Sequence, residues 1–299
     1  MCTFYTFGGD GLEILGVYFD KITLVGNLYK EAESTLQHLL NTVESKIMGV
    51  PTMSAVRGKI YGDWVYFEYD ELMGKAFKKG NFRIEYNPRK MPVELQQQMV
   101  SAFKPMLHDI HFTRLDLAFD CDIPLGEYTH EHKNPMKRAE FYGAGGELET
   151  IYFGSRTSNI YSRTYNKKQQ LLEMENIEIP EPVLWRYEVE MKNRKFIDAM
   201  IKCDFPVFER VRFIQYDTTV LAGNDRVMVQ ALVDHPSLIN ELSNKTKAKY
   251  RKIIRGLGGD DVTPIFAGAL KKELPQLKRQ LEQWKYIPKL SEIMGRTWF

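Results

Sequence analysis

Tyr165 stands two residues from Arg163 and two from Lys167 in the stretch YSRTYNKKQQ, residues 161–170. In an extended chain successive side chains point to opposite faces, so Tyr161, Arg163, Tyr165 and Lys167 share one side. Ser162, Thr164, Asn166 and Lys168 share the other. A phenol between two cations is drawn toward phenolate, from an ordinary pKa of about 10, and the same cations hold a phosphodiester against it. The competing reading is a solvated edge strand with snorkelling basic side chains.

Two further stretches bring carboxylates into the same argument. TRLDLAFD (113–120) alternates Leu115, Leu117 and Phe119 with Arg114, Asp116, Ala118 and Asp120. WRYEVEMK (185–192) alternates Trp185, Tyr187, Val189 and Met191 with Arg186, Glu188, Glu190 and Lys192. The apolar sets belong to a core. On the polar sets, Asp116 with Asp120 and Glu188 with Glu190 repel one another unless a cation neutralises them, and hard oxygen donors in that number suit Mg²⁺ or Mn²⁺. A metal beside a phosphate polarises the P–O bonds for attack by a tyrosinate, and a phosphotyrosine ester conserves the energy of the broken bond. Pairing of the carboxylates with Arg114, Arg186 and Lys192 across an exposed sheet face is the alternative.

The elements that must position these residues follow from periodicity. KITLVGNL (21–28), WVYFEYD (64–70), FRIEYNP (82–88), ETIYFG (149–154) and NIYSRTYN (159–166) read as strands, with KGN (79–81) and the SRTS loop as turns. Leu36, Leu39, Leu40, Val43 and Ile47 mark one amphipathic helix. Leu95, Met99, Phe103 and Met106, after Pro92, mark a second. A closing helix carries Phe266, Leu270, Leu274, Leu277, Leu281 and Trp284. This order predicts an α+β fold: a mostly antiparallel sheet with helices packed on one face carries the site, and a basic helical C-terminal part follows. No internal repeat is visible.

Charge divides the chain in the same place. Residues 1–205 carry 25 Lys and Arg against 29 Asp and Glu, a net of −4, whereas residues 206–299 carry 16 against 10, a net of +6. We therefore expect a catalytic part over 1–205 and a DNA-recognition and closing part over 206–299, the latter meeting a polyanion. KTKAKYRKIIR (245–255) supplies Lys245, Lys247, Lys249, Arg251, Lys252 and Arg255 with no acid in the run, the composition of a phosphate-backbone contact or of a solvated helix face.

Other signals mostly exclude. No apolar run of membrane-spanning length occurs, and MCTFYTFGGDG lacks the basic start and apolar core of a signal peptide, so a cytoplasmic protein is expected. Cys2, Cys121 and Cys203 have no CxxC spacing and fit reduced thiols. His130 and His132 in THEHKN have the spacing of a metal arm but polar neighbours, and read as a solvated loop; His108 and His111 read as the end of a helix. GGDG fails the dinucleotide spacing, and no phosphate-binding loop motif is present.

FDKITLVGNL (19–28), FRIEYNP, TRLDLAFD, FYG (141–143), YFGSRTSNIYSRTYNKKQ (152–169), LWRYEVEMK (184–192) and AKYRKIIR (248–255), in this order, resemble the rolling-circle replication initiators of the staphylococcal-type plasmid family, the replication initiation factors. That family includes relaxases of some integrative elements. The resemblance implies a homodimer that nicks one strand of its plasmid's double-strand origin and stays joined to the 5′ end through Tyr165, leaving a 3′-OH that primes synthesis. It further implies a divalent metal on the acidic strands, a host helicase as partner and origin recognition by the C-terminal part, with specificity expected in HPSLINELSN (235–244). Tyr161 is the weaker nucleophile candidate, since relatives can carry phenylalanine there. The chain has less sequence ahead of FDKITLVGNL than some relatives. The rivals are a non-covalent metal-dependent nuclease and a sequence-specific DNA-binding protein whose acidic face is structural.

Overall fold

A computed structural model describes residues 12–285, apart from residues 53, 73, 75–79 and 135. The expectations drawn from the first eleven residues, Cys2 and GGDG included, and from Lys79 of the KGN turn lie outside the described residues. In chain order, β1 (Ile14–Leu28) and α1 (Glu33–Thr42) precede β2 (Ser45–Ile47), β3 (Ala55–Ile60), β4 (Val65–Asp70) and β5 (Phe82–Tyr86). α2 (Val93–Phe103) leads to β6 (Leu107–Cys121), then β7 (Thr129–His132), β8 (Arg138–Tyr142), β9 (Leu148–Phe153) and β10 (Ile160–Asn166). α3 (Lys167–Glu175), β11 (Trp185–Lys192), α4 (Arg194–Lys202) and β12 (Val211–Tyr216) follow. The chain continues through α5 (Gly223–Asp234), α6 (Asn244–Gly256), β13 (Gly259–Asp261) and α7 (Thr263–Lys285).

Ten strands form one antiparallel sheet in the order β2-β3-β4-β5-β1-β6-β11-β10-β9-β8. The α+β expectation holds. A second sheet, β13-β12-β7, was not foreseen. The alternation of TRLDLAFD and WRYEVEMK works as period-2 patterning dictates: Leu115, Leu117, Phe119, Val189 and Met191 are fully buried on one face of the sheet. Helices pack on that face. Phe103 of α2 lies 5.5 Å from Phe82, Phe205 after α4 lies 5.8 Å from Phe19, and Phe266 of α7 lies 6.0 Å from Phe119. The expected stripe of α7 is buried except for Leu274, which is partly so, and Trp284 Nε1 donates to Tyr86 Oη at 3.0 Å. Each such large apolar side chain stabilises the fold by about 1.5–3 kcal/mol.

The sequence shows no repeat, yet the sheet is two units of one design. In each, a long strand comes first and the last strand of a meander returns beside it: β2-β3-β4-β5 closes on β1, and β8-β9-β10-β11 closes on β6. The two 15-residue strands β1 and β6 then pair antiparallel at the centre.

One helix is shorter than its periodicity suggested. α1 stops at Thr42, whose hydroxyl donates to the His38 and Leu39 carbonyls, and β-branched Val43 turns extended. Ile47 therefore belongs to β2, paired with Gly58. Beyond residue 206, β12 and α7 join the main core, while a separate apolar cluster centres on Val229, Leu232, Val233 and Tyr250 of α5 and α6.

Candidate active site

The face of the ten-stranded sheet opposite the helices carries the polar alternates in straight cross-strand rows. Asp120, Arg186, Tyr165 and Thr150 form one row. Tyr18, Ala118, Glu188, Arg163 and Tyr152 form the next. Lys21, Asp116, Glu190 and Tyr161 form the third. The structure thus brings Tyr165, Arg163 and all four predicted carboxylates together.

Lys167 departs from the expectation. β10 ends at Asn166, whose side chain caps α3 by accepting from Gln169 N, so Lys167 opens a helix and does not continue the strand face. Its ammonium donates to Gln170 Oε1 at 2.8 Å, and burial followed by the charge of Arg186 lowers its pKa.

Tyr165 also behaves differently from a phenol surrounded by water and cations. It is only 6% exposed, and its ring lies 5.2 Å from the Arg163 guanidinium. Burial raises its pKa well above the ordinary phenol value, with Glu188 and Asp20 adding to the rise; Arg186 and Arg163 pull downward without prevailing. The resting group is the neutral phenol. Cations two residues away were legible in sequence, but the depth of the site was not.

Each carboxylate has a guanidinium partner. Arg186 grips Asp120 with two bonds, at 2.5 and 3.0 Å, while Arg89 Nη1 at 2.6 Å and Tyr18 Oη at 2.5 Å also donate to Asp120. Burial would raise the Asp120 carboxyl, but Arg186 and Arg89 hold it below the usual range. Arg163 makes two bonds to Glu188, at 2.8 and 2.9 Å, and Arg114 makes two to Asp116, at 2.8 and 2.6 Å. Glu190 bridges Arg114 and Lys192. The pairing foreseen as the alternative is present, with Arg163 added. Even so, burial pushes the Asp116 and Glu188 carboxyls up, against Arg114 and Arg163, and Glu188 is raised further by Asp20 and Asp116.

Asp20, Tyr18 and Arg89 escaped the sequence reading. Between Phe19 and Lys21 the register of β1 against β6 slips, so Asp20 is the extra residue of a bulge and turns toward the site, accepting from Asn87 Nδ2 at 3.1 Å and Arg186 Nη1 at 3.4 Å. An acid just ahead of the apolar run KITLVGNL was the available signal. The first unit repeats the R-x-E pattern on β5 as Arg83 and Glu85, and there Glu68 lies opposite Arg83 as Tyr165 lies opposite Arg186. The duplicate position has no phenol.

The histidines lie outside these three rows. THEH is strand β7 and not a loop: His130 is buried between Phe153 and Phe213, its pKa lowered to about 3 by desolvation, and burial lowers His132 to about 4. His108 and His111 sit on β6, bonded to Asp109. Among the described residues no three His, Cys, Asp or Glu groups already converge as a metal cage. On α6, Tyr250 is buried and Lys249 pairs with Asp225 of α5 at 2.6 Å, so the basic run does have a nearby acid, supplied from another helix. Lys245, Arg251, Lys252 and Arg255 are exposed, and Lys247 is partly so.

A polar sheet face with one buried tyrosine among arginines and acids defines a candidate strand-transfer site, and comparison with known proteins places the chain. Residues 110–211 match the family described as Replication initiation factor, and residues 21–107 match Replication initiation protein, N-terminal. The two matches meet where the two sheet units meet. A replication initiation protein of Staphylococcus aureus is 32% identical over 270 residues, covering 90% of this chain and 84% of its own. Another from the same organism is 31% identical over 273 residues, with the same coverage. A rolling-circle replication initiator from Geobacillus stearothermophilus aligns in structure at 18% identity and a TM-score of 0.43, over 72% of this chain and 91% of its own. The chain belongs to the replication initiation factor family. Among the described residues no helix is long and apolar enough to cross a membrane.

Proposed function

We propose that this chain initiates plasmid rolling-circle replication by nicking and rejoining one strand of the double-strand origin through Tyr165. The observation that carries the reading is the single row Asp120–Arg186–Tyr165, with Arg163 over the phenol ring, on the face opposite α2, α4 and α7. Tyr165 Oη bonds to the scissile phosphorus, the P–O3′ bond breaks, and the phosphate stays on the enzyme with the 5′ end while O3′ takes a proton and becomes the primer. The phenol proton leaves to solvent before attack, because Glu188 is held by two bonds from Arg163 and makes no contact that takes it. Arg163 and Arg186 face the phosphate oxygens with charge that a water-poor site does not screen. Retention of labelled origin oligonucleotide on the protein in a denaturing gel tests the reading; release of all label with nicking intact would favour a non-covalent nuclease. A second copy of the chain and a host helicase complete the proposed assembly.

The donor chemistry fits a divalent ion, Mg²⁺ or Mn²⁺. Asp116 and Glu188 would hold it only by exchanging Arg114 and Arg163 for the ion, since among the described residues no three acids already converge, whereas Asp120 is gripped by Arg186, Arg89 and Tyr18 together. Bound there, the ion would supply charge stabilisation for the phosphoryl oxygens. Asp116→Asn is expected to weaken Mn²⁺ binding and cleavage together while leaving the thermal midpoint nearly unchanged. Full activity in EDTA would remove the metal from the scheme.

The exposed cations of α6 are proposed to hold origin phosphates, with base reading by 235–244. Replacing Lys252 and Arg255 by Ala should make log K less steep in log salt by about 0.9 for each lost phosphate contact. Lys249→Ala should do less, because that ammonium is already paired with Asp225. Equal slopes in wild type and the double variant would return α6 to the role of a solvated face.

A further inference from the structure

Beside Tyr165 the open face changes from ion pairs to rings. Phe141 on β8 meets Tyr152 on β9 edge-on at 5.5 Å, and Tyr152 stacks on Tyr161 of β10 at 5.8 Å and 21°. Arg156, from the β9–β10 loop, stands 5.9 Å from the Tyr161 ring. None of the three rings belongs to either apolar cluster, and Phe141 is 56% exposed. Across the strands Tyr152 lies between Ala139 and Arg163, Tyr161 lies opposite Glu190, and Thr150 lies opposite both Phe141 and Tyr165. Tyr152 and Tyr161 are half-buried, and Phe141 at the sheet edge keeps most of its surface in water. Between the ladder and α3 opens a cleft of about 210 Å³ lined by Tyr152, Arg163, Tyr165, Asn166, Gln169 and Gln170.

Cross-strand aromatic pairs stabilise a sheet, but that role is served best where the rings are covered, and an edge strand such as β8 normally carries charge in place of an exposed phenylalanine. Stacking of unpaired bases explains both the exposure and the location, since every base has an aromatic face and the nearby Arg156 and Arg163 complement its phosphates. We propose that Phe141, Tyr152 and Tyr161, with the adjoining cleft, bind unpaired nucleobases of the strand whose phosphate lies at Tyr165. The inference rests on Tyr165 as the attacking group. It adds that the strand is held there by its bases, on these three rings.

The test separates the two ideas by reading binding alone. In a Tyr165→Phe background, an oligothymidylate of about 12 nucleotides, within the usual span of stacking platforms, carries one 2-aminopurine at successive positions. The fluorescence should fall on binding at one or two of those positions. Tyr152→Leu or Phe141→Leu should weaken binding about 5- to 150-fold and restore the fluorescence, whereas Tyr152→Phe should preserve both. Circular dichroism and the thermal midpoint show that the leucine variants are folded, and binding to a duplex of equal length should be unchanged. Absence of quenching in the parent, or leucine variants that bind and quench like it, would overturn the platform. That failure would leave the covalent adduct of the wild-type protein untouched, and loss of the adduct would leave the quenching untouched.

Discussion

Replacing Tyr165 by phenylalanine is expected to remove the covalent protein–DNA adduct and nicking altogether, with DNA affinity within about twofold of wild type. The substitution deletes only Oη: the ring keeps its place against the Arg163 guanidinium, so the charge that receives a phosphate is unaltered. Tyr161→Phe should retain the adduct, because that ring stacks on Tyr152 away from the Asp120–Arg186 row. An adduct that survives in Tyr165→Phe and vanishes in Tyr161→Phe would move the assignment. The pH dependence carries the sign of the burial effect. Because the Tyr165 pKa is raised above the ordinary value of about 10, the phenolate fraction is small at neutral pH, and single-turnover nicking should keep climbing through pH 9 without a plateau. A plateau near pH 7 would mean that bound DNA or metal reverses the effect of burial.

Asp120→Ala should be the most destabilising substitution on this face. Asp120 and Arg186 are both buried, and removal of the carboxylate leaves the guanidinium desolvated with only the weaker contact to Asp20. Breaking such a pair costs about 3–5 kcal/mol, which lowers the thermal midpoint by roughly 6–20 °C in a chain of this size. The residue faces away from the apolar core, so an ordinary surface position would predict almost no change. Asp116→Asn provides the contrast, since its partner Arg114 keeps about a third of its side chain in water. Urea unfolding followed by fluorescence checks both. Were Asp120→Ala to unfold at the wild-type midpoint while losing its response to Mn²⁺, Asp120 would be a metal ligand and not the anchor of Arg186.

Much of this site was legible because strands of period two sort their residues unambiguously. The alternation in TRLDLAFD and WRYEVEMK fixed which side chains shared the polar face, and Leu115, Leu117, Val189 and Met191 are indeed the buried set. What alternation could not reveal was anything that interrupts it. Asp20 enters through a bulge, and an extra residue shifts facing without leaving a mark in composition. Lys167 left the strand because Asn166 made a better helix cap than a strand residue. Charge was misjudged where it depended on partners distant in sequence: Arg89 reaches Asp120, and Asp225 reaches Lys249. The polar letters of THEH read as a loop, yet the segment is a strand that places His130 against Phe213.

The duplicated frame also dictates an order of assembly. β1 to β5 leave the ribosome before β6 does, so the first unit can form while the flank of β1 that will receive β6 is still bare, with Phe19, Ile22 and Leu24 along it. An unpaired strand of 15 residues is a template for other chains. We expect a fragment ending before β6 to aggregate unless the second unit is supplied, by continued translation or as a separate polypeptide. Once β6 pairs, the sheet ends only at β2 and β8, of three and five residues, and the long adhesive edge no longer exists.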